Sequence, residues 1–418
     1  MCSGHIFLTI HRKLVYDRRK GCYNKRYELR RGATLMRQVL RRIWNVFRRG
    51  DLVLLTLCLA ASAFGCLVIS SATAHNGSLR YVIIQMGAIV LGVISYVAVS
   101  AIDLDFISEH RRVLVFFNIG LLLMLIPFGT DFNSGNRSWI QFPFLPVSIQ
   151  PAELCKITYV LIMASVMSAH NQRISSPRAI FWMVFHLVLL FGTNMLVSRD
   201  AGVSLIFAFI FIGMAFAGGV SLFWFLAGGG LIAAAAPIIW TKVMDTYQRK
   251  RIQVLFDPSI DPLGIKERYH TKRSLLSLTG GGLTGQGLFN GNRTQIGALP
   301  AQHTDYIFSA IGEEMGYVGC VLVLALLAAI IIRVVIVGAR SQNYLRRMVC
   351  FGSAMALIFQ VCSNVGMCIG MTPVIGLTLP FISYGGSSIV SLYAMLGLVS
   401  GVYARPSPRK HELYVRPY

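Results

Sequence analysis

The sequence predicts an all-α polytopic membrane protein, with about ten transmembrane helices and one large extracellular loop between the seventh and the eighth. Three observations carry that prediction. The 418 residues have a mean hydropathy of +0.62, with 55% hydrophobic and only 13% charged side chains, more apolar surface than one aqueous core can bury. The apolar residues gather in segments long enough to cross roughly 30 Å of hydrocarbon at about 1.5 Å per helical residue. Between residues 241 and 305 the chain turns polar, and loops beyond about 12–15 residues are uncommon unless functional or disordered. This one carries aromatics, aspartates, a glycine cluster and many cations, a composition that favours function.

The first 50 residues hold 14 Lys and Arg against two acids. Leu35, Met36, Val39, Leu40, Ile43, Trp44 and Phe47 recur at helical spacing among the arginines, the pattern of a basic, partly amphipathic helix lying on an anionic leaflet. Met36 also offers a shorter start. Apolar segments then begin near Asp51, Leu79, Val113, Gln150, Ala179, Ala201, Val220, Tyr306, Leu345 and Ile382. The domain division is therefore an N-terminal arm over 1–50, a transmembrane domain over 51–404 and a short tail over 405–418.

Short connections keep arginine and lysine on the cytoplasmic side. With the arm inside, so are Arg111 and Arg112, Arg173 and Arg178, the turn at Gly218 and Gly219, the connection with Arg340, Arg346 and Arg347, and the tail with Arg405, Arg409 and Lys410. The 241–305 loop then lies outside despite its cations, because long loops largely escape the charge rule. A net charge of +22 would suggest nucleic acid in a soluble protein. Here the cations flank apolar segments, so membrane lipids, and not nucleic acid, are the expected partner. The nine cysteines show no CxxC spacing and read as free thiols used as small hydrophobes.

Ionisable residues inside a bilayer are costly and usually functional. Glu153 and Lys156 stand three apart on one helix face and can neutralise each other. Asp200 sits between the fifth and sixth segments, and Glu313 and Glu314 near the start of the eighth. Each has a structural reading beside the functional one, an ion pair or an interfacial position.

The run GGGLTGQG lacks the ending and strand of a phosphate loop, so its glycines are expected to let backbone approach a ligand or a neighbouring helix. Zinc spacing and a serine elbow are absent too. Asp257 and Asp261 in FDPSIDPLG each precede proline and are held extended. A rigid carboxylate among Arg249, Lys250, Arg251, Lys272 and Arg273 suits a general base whose neighbours stabilise a phosphate leaving group; Asp-Pro pairs are equally ordinary turn starters.

Six motifs occur in order: GNRSWI (135–140), QPAELCK (150–156), RDAG (199–202), YQRKRI with FDPSIDPLG (247–264), LPAQHTDYIFSAIGEEMGYVG (299–319) and TPVIGLTLPFISYGGSS (372–388). Together they resemble the SEDS family, which includes the RodA, FtsW and SpoVE proteins of bacterial elongation, division and sporulation. The resemblance implies a ten-helix glycosyltransferase of the bacterial cytoplasmic membrane that polymerises lipid II into glycan strands with a class B penicillin-binding protein, a transpeptidase. It implies that Asp261 is the catalytic base toward the acceptor 4-hydroxyl, with undecaprenyl diphosphate leaving. It makes Arg137, Glu153 and Lys156 cavity or substrate-binding residues, and Ser383 and Tyr384 structural or substrate-facing. No cofactor is expected, except that a divalent cation, magnesium or manganese, is left open. This chain departs from the pattern in two places. After Gly264 the second glycine is absent, about two residues are inserted before Tyr269, and Arg273 stands where Gln is common. Arg199 replaces the frequent proline before Asp200.

Two other functions fit the same residues, a flippase that moves the lipid-linked precursor and a scaffold that only anchors the partner enzyme. Transport would place the weight on the buried Glu153 and Lys156, catalysis on Asp261, and scaffolding on neither.

Overall fold

A computed structural model describes residues 50–77, 79–130, 137–141, 148–244, 246–266 and 268–405. The expected amphipathic helix of the arm, Met36, and Arg409 and Lys410 of the tail lie outside the described residues, as do Gly135 and Asn136 of the first motif.

Among the described residues, nine helices are long and apolar enough to cross a membrane, and a tenth apolar helix, Ala201–Ala217, is shorter at 17 residues. In chain order the helices are α1 (Leu52–Ala72), α2 (Arg80–Ser100), α3 (Leu104–Glu109), α4 (Arg111–Leu123) continued by α5 (Leu125–Phe128), α6 (Pro151–Ala169), α7 (Pro177–Val197), α8 (Ala201–Ala217), α9 (Leu222–Ile238), α10 (Thr246–Phe256), α11 (Tyr269–Gly280), α12 (Ile307–Arg340), α13 (Tyr344–Cys368) and α14 (Gly386–Ala404). Local chemistry sets the starts. Asp51, Ser176, Asp200 and Asn343 each accept an amide proton from the first turn of the helix that follows, supplying a partner to donors that have none inside the helix. Pro151 and Pro177 occupy first-turn positions, where their missing N–H costs nothing.

One departure from the all-α expectation is a small antiparallel sheet, β1 (Gly129–Thr130), β2 (Trp139–Gln141) and β3 (Ser148–Ile149), in that order. Its strands are two or three residues long, too short to register as periodicity. The last membrane helix starts at Gly386 rather than near Ile382, because residues 372–385 run as an irregular segment over the bundle end.

Contacts sort the connections to two ends. At one, Arg346 pairs with Asp105 at 3.0 Å, Arg405 donates to the Ile102 carbonyl, Tyr344 donates to the Gly218 carbonyl, and the Ser221 amide donates to Ser175. At the other, Arg251 donates to the Val374 carbonyl, Gln302 to the Ala72 carbonyl, and the Tyr384 amide to the His303 carbonyl. The described parts of the 241–305 segment therefore share an end with Ala72, Val374 and Tyr384, and the close approach of Gly202 to Ile375 brings the Ser138–Asp200 contact to that same end.

Close packing is achieved with small residues, as membrane helices need when lipid supplies no hydrophobic drive between them. A Cβ on Gly397 of α14 would stand 2.6 Å from the Tyr96 carbonyl oxygen of α2, and one on Gly401 would stand 2.8 Å from that of Ser100. An ion pair braces the opposite end of the bundle from the long loop: Arg333 of α12 holds both carboxylate oxygens of Asp51 at 2.8 and 3.0 Å. The described cysteines are free, and Cys58, Cys155, Cys320, Cys350 and Cys368 are buried.

Candidate active site

The long loop is ordered by α12. That helix is broken at Gly316, whose φ of 65° and ψ of −162° suit only glycine. The glycine run packs into the break. A Cβ on Gly281 would fall 1.9 Å from the Gly312 carbonyl oxygen and one on Gly285 2.2 Å from that of Glu314, so backbone meets backbone there, as the sequence suggested. Glu313 and Glu314 are buried rather than interfacial and form no ion pair among the described residues; hydrogen bonds take them up instead. Glu313 accepts from the Arg293 and Thr294 amides at 2.6 and 3.2 Å and from the Thr294 hydroxyl at 2.9 Å. Glu314 accepts from Ser71 at 2.6 Å and from Gln295 at 2.8 Å. Two buried carboxylates thus fasten the loop to α1 and α12.

Asp261 ends a short 3-10 turn over Pro258–Ile260. Its Oδ1 accepts from the Ile265 amide at 3.1 Å, and its Oδ2 accepts from the Lys266 and Arg268 amides at 2.9 and 3.1 Å. The residue is only 5% exposed. Burial pushes its pKa up. The Arg268, Ile265, Lys266 and Gly264 amides together outweigh that and hold the carboxyl below the usual carboxylate range. Asp257 is also held low, by the Ser259 hydroxyl at 2.5 Å and the Ser259 amide.

The turn that caps Asp261 opens on a cavity of about 800 Å³ whose lining includes Gly264, Tyr269, Lys272, Arg273, Arg293 and Glu313. Lys272 Nζ is drawn to the Leu263 carbonyl at 2.8 Å. Arg273 donates to the Ala298 carbonyl at 2.6 Å and lies over the Tyr269 ring at 4.6 Å. The helix α10 presents Arg249, Lys250 and Arg251: Lys250 is exposed, Arg249 partly buried, and Arg251 bound to Val374. Of the predicted site residues only Lys272 and Arg273 line the cavity: Asp261 itself, Arg249, Lys250 and Arg251 do not, and neither do Arg137, Glu153, Lys156, Ser383 and Tyr384.

Those last five residues have other surroundings. Lys156 Nζ lies 2.9 and 2.8 Å from the two Glu153 oxygens, both side chains nearly inaccessible in α6. Arg137 is exposed beside β2. Ser383 donates to the Thr304 carbonyl at 2.6 Å and accepts the Leu379 amide. Tyr384 packs against Tyr81 and His303, with centroids at 5.2 and 5.7 Å. Ser383 and Tyr384 thereby form a clasp between the 299–306 segment, α2 and the start of α14.

Sequence reasoning passed over Asp305. Burial pushes its carboxyl up to about 6, against the hydrogen bond from Thr304 and with the charge of Asp200 adding to the rise. Asp200 is likewise raised, chiefly by burial; the amides of Val203 and Gly202 and the Ser138 hydroxyl pull the other way, and Glu153 adds to the rise. The available signal was an acid at the polar edge of the longest apolar helix.

Among the described residues no three histidine, cysteine, aspartate or glutamate side chains converge as a metal site. The carboxylates nearest the cavity are already engaged with amides, so the residues present do not fit a resident cation.

A profile of the FtsW/RodA/SpoVE cell cycle protein family matches residues 51–407. The chain is 33% identical over 358 residues to the peptidoglycan glycosyltransferase MrdB of Escherichia coli, covering 84% of this chain and 93% of that one. It is 33% identical over 296 residues to a probable peptidoglycan glycosyltransferase FtsW of Haemophilus influenzae, covering 69% and 72%. Among solved structures it resembles a chain from a peptidoglycan synthase complex that coordinates polymerization and crosslinking, with a TM-score of 0.72, 27% identity, and coverage of 85% of this chain and 97% of that one. A substituted form of the rod shape determining protein RodA of Thermus thermophilus aligns with a TM-score of 0.61 and 25% identity, at the same coverage.

Proposed function

The chain belongs to the FtsW/RodA/SpoVE family of cell cycle proteins, and from that premise we infer that it is a multi-pass membrane peptidoglycan glycosyltransferase that polymerises lipid II. It works at the outer face of the bacterial cytoplasmic membrane, with both termini cytoplasmic, alongside a class B penicillin-binding protein that crosslinks the product.

Asp261 is the general base. It takes the proton of the acceptor sugar's 4-hydroxyl as that oxygen attacks the anomeric carbon of the donor, and the bond from that carbon to the diphosphate oxygen breaks. The departing undecaprenyl diphosphate carries the electron pair away, and Lys272, Arg273 and Arg293 offset its charge. The observation that carries this reading is a carboxylate that accepts three backbone amides, one turn from a cavity that bears three cations. Its depressed pKa keeps it ionised at neutral pH. An incoming hydroxyl that displaces an amide would raise its basicity at the moment of use.

Glu153 and Lys156 form a buried ion pair inside the bundle; the transport reading, which needs a charge there to move, draws nothing from that pairing. No step is assigned to magnesium or manganese. The test is incubation of the purified protein and its partner transpeptidase with labelled lipid II, resolved on a gel. A ladder of glycan polymer supports the reading. Lipid II crossing a vesicle bilayer without polymer would favour transport instead.

A further inference from the structure

The corner between α7 and α8 is bolted from within. Asn194 donates to the Asp200 carbonyl at 3.1 Å and to Ser204 at 2.8 Å, Ser198 donates to Asn194, and the Asp200 amide donates to Ser198. Asn194, Ser198, Asp200 and Ser204 are all buried. Arg199, between the buried Ser198 and Asp200, is exposed, at a φ of 56° that arginine rarely adopts. Strain of this kind persists where the surroundings over-determine it, and it concentrates at functional sites.

Asp200 does not neutralise its neighbour. Its Oδ2 accepts from Ser138 at 3.2 Å and Gln150 at 3.3 Å, and its Oδ1 accepts from the Val203 amide at 3.1 Å. Ser138 is the chain neighbour of Arg137, which is also exposed. The Ser138–Asp200 contact therefore sets Arg137 and Arg199 on either side of one buried hydrogen bond. Consecutive Cα atoms are about 3.8 Å apart, so the two flexible side chains can meet on one anion. Neither arginine has an ion pair among the described residues. Leu196, one turn earlier and 84% exposed, offers apolar surface on the lipid side.

Resting on the glycosyltransferase reading, we propose that Arg199 is a substrate-binding residue that joins Arg137 in holding the diphosphate of the polyprenyl-linked acceptor at the membrane surface, apart from the donor diphosphate that Lys272, Arg273 and Arg293 offset. Two guanidinium forks match a diphosphate, with its several oxygens and more than one charge, better than a single phosphodiester. The polyprenyl chain runs down past Leu196 into lipid.

The test is equilibrium binding of undecaprenyl diphosphate to the full-length protein in neutral detergent, with undecaprenyl monophosphate and phosphatidylglycerol as competitors. Arg199→Ala weakens diphosphate binding by about 10-fold, the scale of one charge-assisted contact. Arg199→Lys recovers part of the loss. Arg137→Ala with Arg199→Ala loses less than the two single losses combined, because the residues share a ligand. Arg199→Gly, which accepts the backbone angle, raises the melting midpoint while weakening binding, so a folding defect cannot account for the loss. Unchanged diphosphate affinity in Arg199→Gly overturns the proposal. So does phosphatidylglycerol competing as well as undecaprenyl monophosphate, with both depending equally on Arg199, since the site would then be a general headgroup contact. Diphosphate binding through Arg199 in a protein that makes no polymer would sink the glycosyltransferase reading and leave this site standing.

Discussion

Asp261 and Lys266 meet through the backbone: the Lys266 amide donates to Asp261 Oδ2 at 2.9 Å, while the Lys266 side chain is exposed and no ion pair joins the two among the described residues. A carboxylate held by dipoles remains available to a substrate proton in a way that one locked to an ammonium does not. The same amides fix the acid's position and lower its pKa.

The first prediction concerns that turn. Gly264 has a φ of 64°, and a Cβ there would fall 2.5 Å from Lys272 Cδ. Gly264→Ala is expected to cost about 1–2 kcal/mol locally and to displace both the capping amides and Lys272. Polymer yield should fall several-fold with the bundle's melting midpoint nearly unchanged, which a gel and a thermal scan in detergent would check.

The acid limb of the rate profile follows from the direction of the Asp261 shift. A carboxyl held below its ordinary value stays ionised as pH falls through about 4, so loss of kcat/KM from this group begins only at lower pH. A limb with its midpoint near 6 would assign the titrating group elsewhere, with Asp305 the first candidate.

Asp305 predicts a separate effect on stability. Its folded pKa of about 6 lies above the ordinary aspartate value of 3.8, so between those values the folded state binds more protons and stability falls as pH rises. Asp305→Asn should flatten the dependence of the melting midpoint over pH 4–6. An unchanged slope would mean that other groups carry it.

The Glu153–Lys156 pair should behave as a buried unit. Glu153→Gln or Lys156→Met alone leaves one charge unpaired at a cost of about 3–5 kcal/mol, while the double substitution costs much less. Melting midpoints of the three variants test this, and additive losses would argue against a mutually neutralising pair.

Much of this was legible in the chain. Apolar runs placed the helices because a bilayer forces backbone groups to pair within each segment, and the i, i+3 spacing of Glu153 and Lys156 announced their contact. The glycine run signalled close backbone approach but not its partner, since the break at Gly316 comes from packing against residues more than 30 positions away. The cap on Asp261 was hidden for a similar reason: amides look alike in every residue, and only the folded turn shows that Ile265, Lys266 and Arg268 point theirs at one carboxylate. The coupling of Asp200 to Asp305 joins positions 105 apart, and the strain at Arg199 appears only as a backbone angle.

The most direct measurement is the single-turnover rate of polymer formation from lipid II by Asp261→Asn beside the unaltered protein, each with its partner transpeptidase and each checked for folding and for undecaprenyl diphosphate binding. Loss of a general base predicts a fall of about 10²–10⁴-fold with binding retained. Equal rates from the two proteins would contradict the assignment of Asp261 as the proton acceptor.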